Sequence, residues 1–390
     1  MLCKGMVIIM VKKRIALILA VCVFLGIGLV SSAEVSFDTN GIDAALLMDA
    51  DSGRILYEHE KDAKLPVAGL SKLPALLMIC EAFDVGMLLD DTLISVSDKA
   101  SKIGGTTAFL ASGEQMRAAD MMMAAVMINA GDAIHSLACA VTGSENAAVE
   151  RINERMKALG VEYSASDICG SGLVLSAAEL SKIGLALLGS DTYCRFGTMY
   201  YETIEHATGA SATELANPNK LIKQYSGCLG IATGSSAEAG YCAIFAATRG
   251  TTSYIAVVLG ADNSSKRFGL GIEMLDYGFA SFRNVLVAKE GDNFGEAQVV
   301  GGIKRSVNAV MKQDVMMLMS MADTQYFTEV ELYTNLVAPI YAGQEIGIVR
   351  YTDRSGALIM QAKLVSAEAI EKSSIFDYIR SILHGWISNF

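Results

Sequence analysis

Three short stretches carry residue types and spacings suited to acyl chemistry. In "AGLSK", Lys72 opens an apolar helical run and Gly69 stands three residues before it. A hydroxyl at that earlier position would sit one turn from the amine, on the same face, where the amine can take its proton. Position 69 offers no side-chain oxygen. In "NAGDA", Asn129 and Gly131 fall between two helical segments, an Asn/Gly break in an otherwise helical pattern. In "ATG", Ala232, Thr233 and Gly234 lie on a strand-like run whose backbone can pair with an extended ligand.

The nearest hydroxyl to Gly69 is Ser71. At 3.6 residues per turn it points about 200° away, onto the opposite helix face, so it is not expected to act as a displaced nucleophile. Pro74 is expected to remove a backbone donor in the second turn of this helix. With no hydroxyl at position 69 to share its face, Lys72 reads as a structural amine rather than a general base. Thr233 and Gly234 read as strand and turn geometry, although a peptide can still add to that edge. His135 is expected on a helix surface or at a satisfied boundary. The four His share no metal-ligand spacing and no C-x-x-C pair occurs, so neither metal nor cofactor is implied. "MMMAAVM" and "VMMLM" read as core filler.

At 390 residues, two domains are expected. A chain 52% hydrophobic and 19% charged suits a buried globular core. A net charge of −11 without any basic stripe argues against nucleic acid. Lys12, Lys13 and Arg14 precede an apolar run and then "SSAEV", the layout of a cleavable export signal over residues 1–33; a retained membrane helix is the alternative.

"AALLMDADSGRILYE" reads as a hairpin, followed by the Lys72 helix to about Phe83. Short strand-and-turn segments follow. Helical patterns run from Ala119 to Gly143, broken at "NAGDA", and from Ala147 to Leu159. "CLGIATG", "GYCAIFAATRG" and "TSYIAVVLGA" are strands, and Asp262 to Phe279 is helical. Antiparallel strands with helices between them make an α/β sandwich. After Phe282 the period becomes two, so residues 285–370 form a separate all-β domain. Cys228 and Cys242 flank a hairpin centred near Ser235, which leaves two readings: a cross-strand disulfide, or buried free thiols.

"AGLSK", "NAGDA" and "ATG" stand in the order of the S-x-x-K, S-x-N and K-T-G motifs. Together with "KIGGTTAFLASGEQM", "ELANPNKLI" and "IAVVLGADNSSKRF", they make the chain resemble the D-alanyl-D-alanine carboxypeptidase family, the low-molecular-weight penicillin-binding proteins, over nearly its full length. The resemblance implies a β-lactamase/transpeptidase-like fold at 34–282, a β-sandwich at 285–370 and an amphipathic membrane-surface helix at 373–390. It also implies removal of the terminal D-alanine from peptidoglycan pentapeptide stems through an acyl-serine, outside the cytoplasmic membrane. Each motif departs from the pattern. Gly69 replaces the nucleophilic serine while Lys72 is kept, Asn129 and Gly131 replace the second serine and its asparagine, and Ala232 replaces the strand lysine. Loss of the serine alone costs on the order of 10⁶ in turnover. The expectation is therefore an exported, catalytically degenerate homologue that binds stem peptides or a protein partner; an active carboxypeptidase with unorthodox residues is the alternative.

Overall fold

The computed structural model describes residues 35–206, 212–322 and 324–376. The expected leader, 1–33, and residues 377–390 of the expected C-terminal helix lie outside the described residues. Five strands form the central sheet: β1 (Ala44–Asp49), β2 (Ile55–His59), β3 (Cys228–Ser236), β4 (Gly240–Arg249) and β5 (Thr252–Ala261). Their order is β2-β1-β5-β4-β3, and every pairing is antiparallel. β1 is buried throughout, because both faces of the sheet are covered by helices, and this is why it reads as a continuous apolar run.

The helices are α1 (Leu73–Asp84), α2 (Ala118–Ile128), α3 (Gly131–Thr142), α4 (Glu145–Ala158), α5 (Ala177–Leu188), α6 (Asp191–Gly197) and α7 (Ser264–Ser281). Residues of α1 to α6 share one core with Ile231, Ile244, Ala246, Ile255 and Val257. The next residues along the strands, Phe245 and Tyr254, point to the other face, since side chains alternate. There α7 lies so close that a Cβ on Gly271 would fall 2.4 Å from the Phe245 ring, and one on Gly278 would fall 2.9 Å from the Tyr254 ring. Glycine at those two positions lets the helix settle onto the aromatic rings.

Several local expectations need correction. The Lys72 segment begins as a 3-10 turn, Ala68–Lys72, and Pro74 falls in the first turn of α1 rather than the second. A helix's first N–H groups have no intrahelical acceptor, so this proline removes nothing the helix would use. The β3–β4 hairpin pairs Ser236 with Gly240, Cys242 with Gly234 and Ala247 with Cys228. The turn thus falls three residues beyond Ser235, and the two cysteines are never opposite each other. Both are free thiols. α5, α6 and a hairpin of Tyr201–Ile204 with Thr213–Ala216 were not among the expected elements. α5 had a readable start, since Ser176 and Glu179 form a capping box.

From Phe282 the chain is all β: β6 (Phe282–Ala288), β7 (Asn293–Val300), β8 (Ser306–Met311), β9 (Val315–Ser320), β10 (Phe327–Leu332), β11 (Leu336–Val337), β12 (Glu345–Thr352) and β13 (Leu358–Ser366). A six-stranded sheet, ordered β10-β12-β13-β8-β7-β11, and the β6–β9 pair enclose a common core that includes Ala309, Met317, Val349 and Leu364. Asn284 links this sandwich to the first domain by donating to Asp49 Oδ1 (3.0 Å) and Asp51 Oδ2 (2.6 Å).

Candidate active site

A cleft of about 1040 Å³ opens where the 3-10 turn, the α2–α3 corner and β3 converge. Residues three apart in a 3-10 turn eclipse one another, so Gly69 and Lys72 stand on one side of it. Both line the cleft. A Cβ built on Gly69 would lie 3.4 Å from Asn129 Nδ2 and 3.8 Å from Lys72 Cε, which are ordinary contacts. The backbone has room for a side chain that the sequence does not supply. Ser71, expected on the far face, also borders the cleft, but its Oγ donates to the Cys169 carbonyl at 2.8 Å.

Lys72 is 7% exposed, and its Nζ donates to the Asn129 carbonyl at 2.5 Å. Burial holds the amine below its ordinary pKa, against the opposing pull of Cys169 and Asp132. Asn129 ends α2 in the left-handed region (φ 56), which asparagine tolerates better than most residues, and its amide donates to the Gly69 carbonyl. Ala68, on the opposite side, is also left-handed (φ 48). Two such residues flanking a cleft mark a backbone held out of its preferred conformation by its surroundings.

Gly131 and Ala232 are not part of the lining. A Cβ on Gly131 would come within 2.8 Å of Ile103 Cγ2, so a larger residue there requires Ile103 to move. Ala232 is buried and paired with Ile244. Thr233 and Gly234 do face the cleft, and a Cβ on Gly234 would lie 3.0 Å from the Gly69 amide nitrogen. That packs one face of β3 directly against the 3-10 turn.

Residues 32–263 match the D-alanyl-D-alanine carboxypeptidase family, and residues 282–372 match the C-terminal domain of penicillin-binding protein 5. The chain belongs to the D-alanyl-D-alanine carboxypeptidase family. It is 26% identical over 349 residues to D-alanyl-D-alanine carboxypeptidase DacF of Bacillus subtilis, covering 88% of this chain and 89% of that one. To DacC of Escherichia coli it is 25% identical over 381 residues, covering 92% and 93%. The solved structure of penicillin binding protein 5 from Haemophilus influenzae shares the fold, with a TM-score of 0.77 at 23% identity over 87% of this chain and all of that one.

Within this family member, Arg267 at the cleft and Asp132 behind its wall escaped the sequence reading, and His135 stands elsewhere than expected. Arg267 on α7 lines the cleft, with Nη1 donating to the carbonyls of Gly234 and Cys242 at 3.2 Å each. Its Nε is buried without a partner, and among the described residues no carboxylate pairs with it. The signal was available: Arg267 is the one basic residue on the buried face formed with Leu270, Gly271, Met274, Leu275 and Gly278. Asp132 is buried and accepts from the backbone N–H of Ala108, Leu110 and Ala133, fixing the loop that continues from the Ile103–Thr106 wall of the cleft. His135 also lines the cleft rather than a helix surface. It is 5% exposed, its Nε2 lacks a hydrogen bond among the described residues, and Glu145, paired with Lys99, stands 3.8 Å away. Burial lowers its pKa, with Glu145 opposing. No group of three potential metal ligands occurs among the described residues.

Proposed function

We propose that this protein is a catalytically degenerate D-alanyl-D-alanine carboxypeptidase homologue that binds peptidoglycan stem peptides at the cell envelope without cleaving them. Gly69 carries the reading. The place beside Lys72 where an acyl-accepting hydroxyl would stand holds no side chain, while Ser71 is committed to Cys169. Asn129, Gly131 and Ala232 stand where the family's second serine, asparagine and strand lysine are expected, so proton relay and carboxylate anchor are altered together. Groups that act as a unit fail as a unit.

Binding has better support than catalysis. β3 is the edge of its sheet, and Thr233 and Gly234 present backbone to the cleft, so an extended peptide can pair there. Arg267 supplies a guanidinium beside Gly234, where a peptide carboxylate would end. In this organisation residues 1–33 direct export and are removed, 34–282 carry the cleft, 285–370 form the sandwich and 373–390 attach to the membrane surface.

The purified protein should bind a peptide ending in D-alanyl-D-alanine by calorimetry, release no D-alanine, and take up no covalent label from a reporter penicillin. An acyl adduct mapped to any serine, or D-alanine release, would establish the active carboxypeptidase instead.

A further inference from the structure

We infer that the end of the β-sandwich from which the chain leaves toward residue 377 is itself a lipid-contacting surface, separate from the apolar C-terminal segment. The inference rests on the envelope reading above. Four large apolar side chains are exposed there: Val300 (59%), Ile303 (53%), Val337 (62%) and Tyr341 (70%). Backbone pairing gathers them. Val300 and Val337 are partners in the parallel β7–β11 pair, and Ala338 N donates to the Val300 carbonyl at 3.0 Å. Ile340 and Ile370 bond reciprocally at 2.9 Å, Ile303 N reaches the Glu371 carbonyl, and Ser373 N reaches Gly301. The chain then emerges through Ile375 and Phe376, also exposed.

Soluble surfaces scatter single apolar residues; a cluster at one chain exit calls for an occupant. Lipid is favoured by continuity. The sequence beyond the exit interleaves Tyr378, Ile379, Ile382, Leu383, Trp386, Ile387 and Phe390 with polar residues, which is interfacial composition and too interrupted to span a bilayer. A tail held at a membrane surface brings the exit end to the same lipid at high effective concentration. Charge contributes little to this contact, because Lys304 is paired with Glu368 at 2.6 Å and the exposed Lys372 adjoins Glu371, which leaves the exposed Arg305 as a modest attraction for anionic lipid. Apolar burial must supply most of the attraction.

The test is flotation of residues 34–390 with phosphatidylcholine vesicles, with and without phosphatidylglycerol. Ile303→Asp with Tyr341→Asp, both outside strands, should lower partitioning roughly tenfold in either lipid. Leu358→Asp, equally exposed but at the other end of β13, should change nothing. A chain ending at Lys372 should keep weak partitioning that the same double substitution abolishes. Equal flotation of the double variant and the parent overturns the inference while leaving the tail anchor and the envelope reading intact. Absence of any flotation removes the envelope reading along with it.

Discussion

Asp132→Asn is the most informative single change, because it separates the wall of the cleft from its floor. The Asp132 carboxylate is 1% exposed and accepts from Ala108 N through both oxygens (2.9 and 3.0 Å), from Leu110 N (3.1 Å) and from Ala133 N (2.8 Å). An asparagine keeps the shape but replaces one acceptor with an NH₂ donor that must face an N–H or turn away from one. Each charge-assisted bond to a buried donor contributes about 1.5–2 kcal/mol. Losing the two that hold the Ala108–Leu110 loop therefore costs about 3–4 kcal/mol. For a domain of this size each kcal/mol moves the midpoint by about 2–4 °C, so Tm should fall by about 6–16 °C. Calorimetry measures the shift, and hydrogen exchange locates it: Ala108 and Leu110 amides should lose protection while the α3 interior keeps it. A Tm within a degree of the parent, with both amides still protected, would refute the view that one carboxylate anchors this loop.

Gly69→Ser should fold with nearly unchanged Tm, since its Cβ meets nothing closer than 3.4 Å, yet show no D-alanine release, because the other two motifs remain altered; robust turnover would show that those motifs matter less than argued. His135 has its folded pKa held below 6.5 by burial, so the unfolded chain takes the proton first and stability falls as pH drops through 6.5. The His135→Gln variant should accordingly lose less stability than the parent between pH 7.5 and 5 in urea titrations, and parallel profiles would dismiss the effect. Gly271→Ala drives a Cβ to 2.4 Å from Phe245 and should destabilise by about 1–3 kcal/mol. Gly269→Ala in the same helix meets nothing within 4 Å and should stabilise by up to about 1 kcal/mol, so both variants moving the same way would contradict the helix–sheet packing.

The order of the three motif stretches, the central strands and the change to period two after Phe282 were legible in the sequence, because each depends on residues close together in the chain. Burial of both sheet faces wrote continuous apolar runs into β1, β4 and β5, and one-sided burial wrote alternation into the sandwich strands. The absence of a side-chain hydroxyl at Gly69 was equally plain, since no fold can add an atom that the sequence lacks. Tertiary structure alone decided what depends on register and on partners far away in the chain. The separation of Cys228 from Cys242 follows from where the β3–β4 hairpin turns, and a shift of three residues in that turn moves every pair. Ser71 lost its availability to a carbonyl 98 residues away. Arg267 became part of the cleft because two glycines let α7 close onto the sheet, and His135 because the α3 face that bears it is covered by Glu145 and Lys99. Local spacing fixes which side chains share a face. Only the packed chain fixes what that face meets.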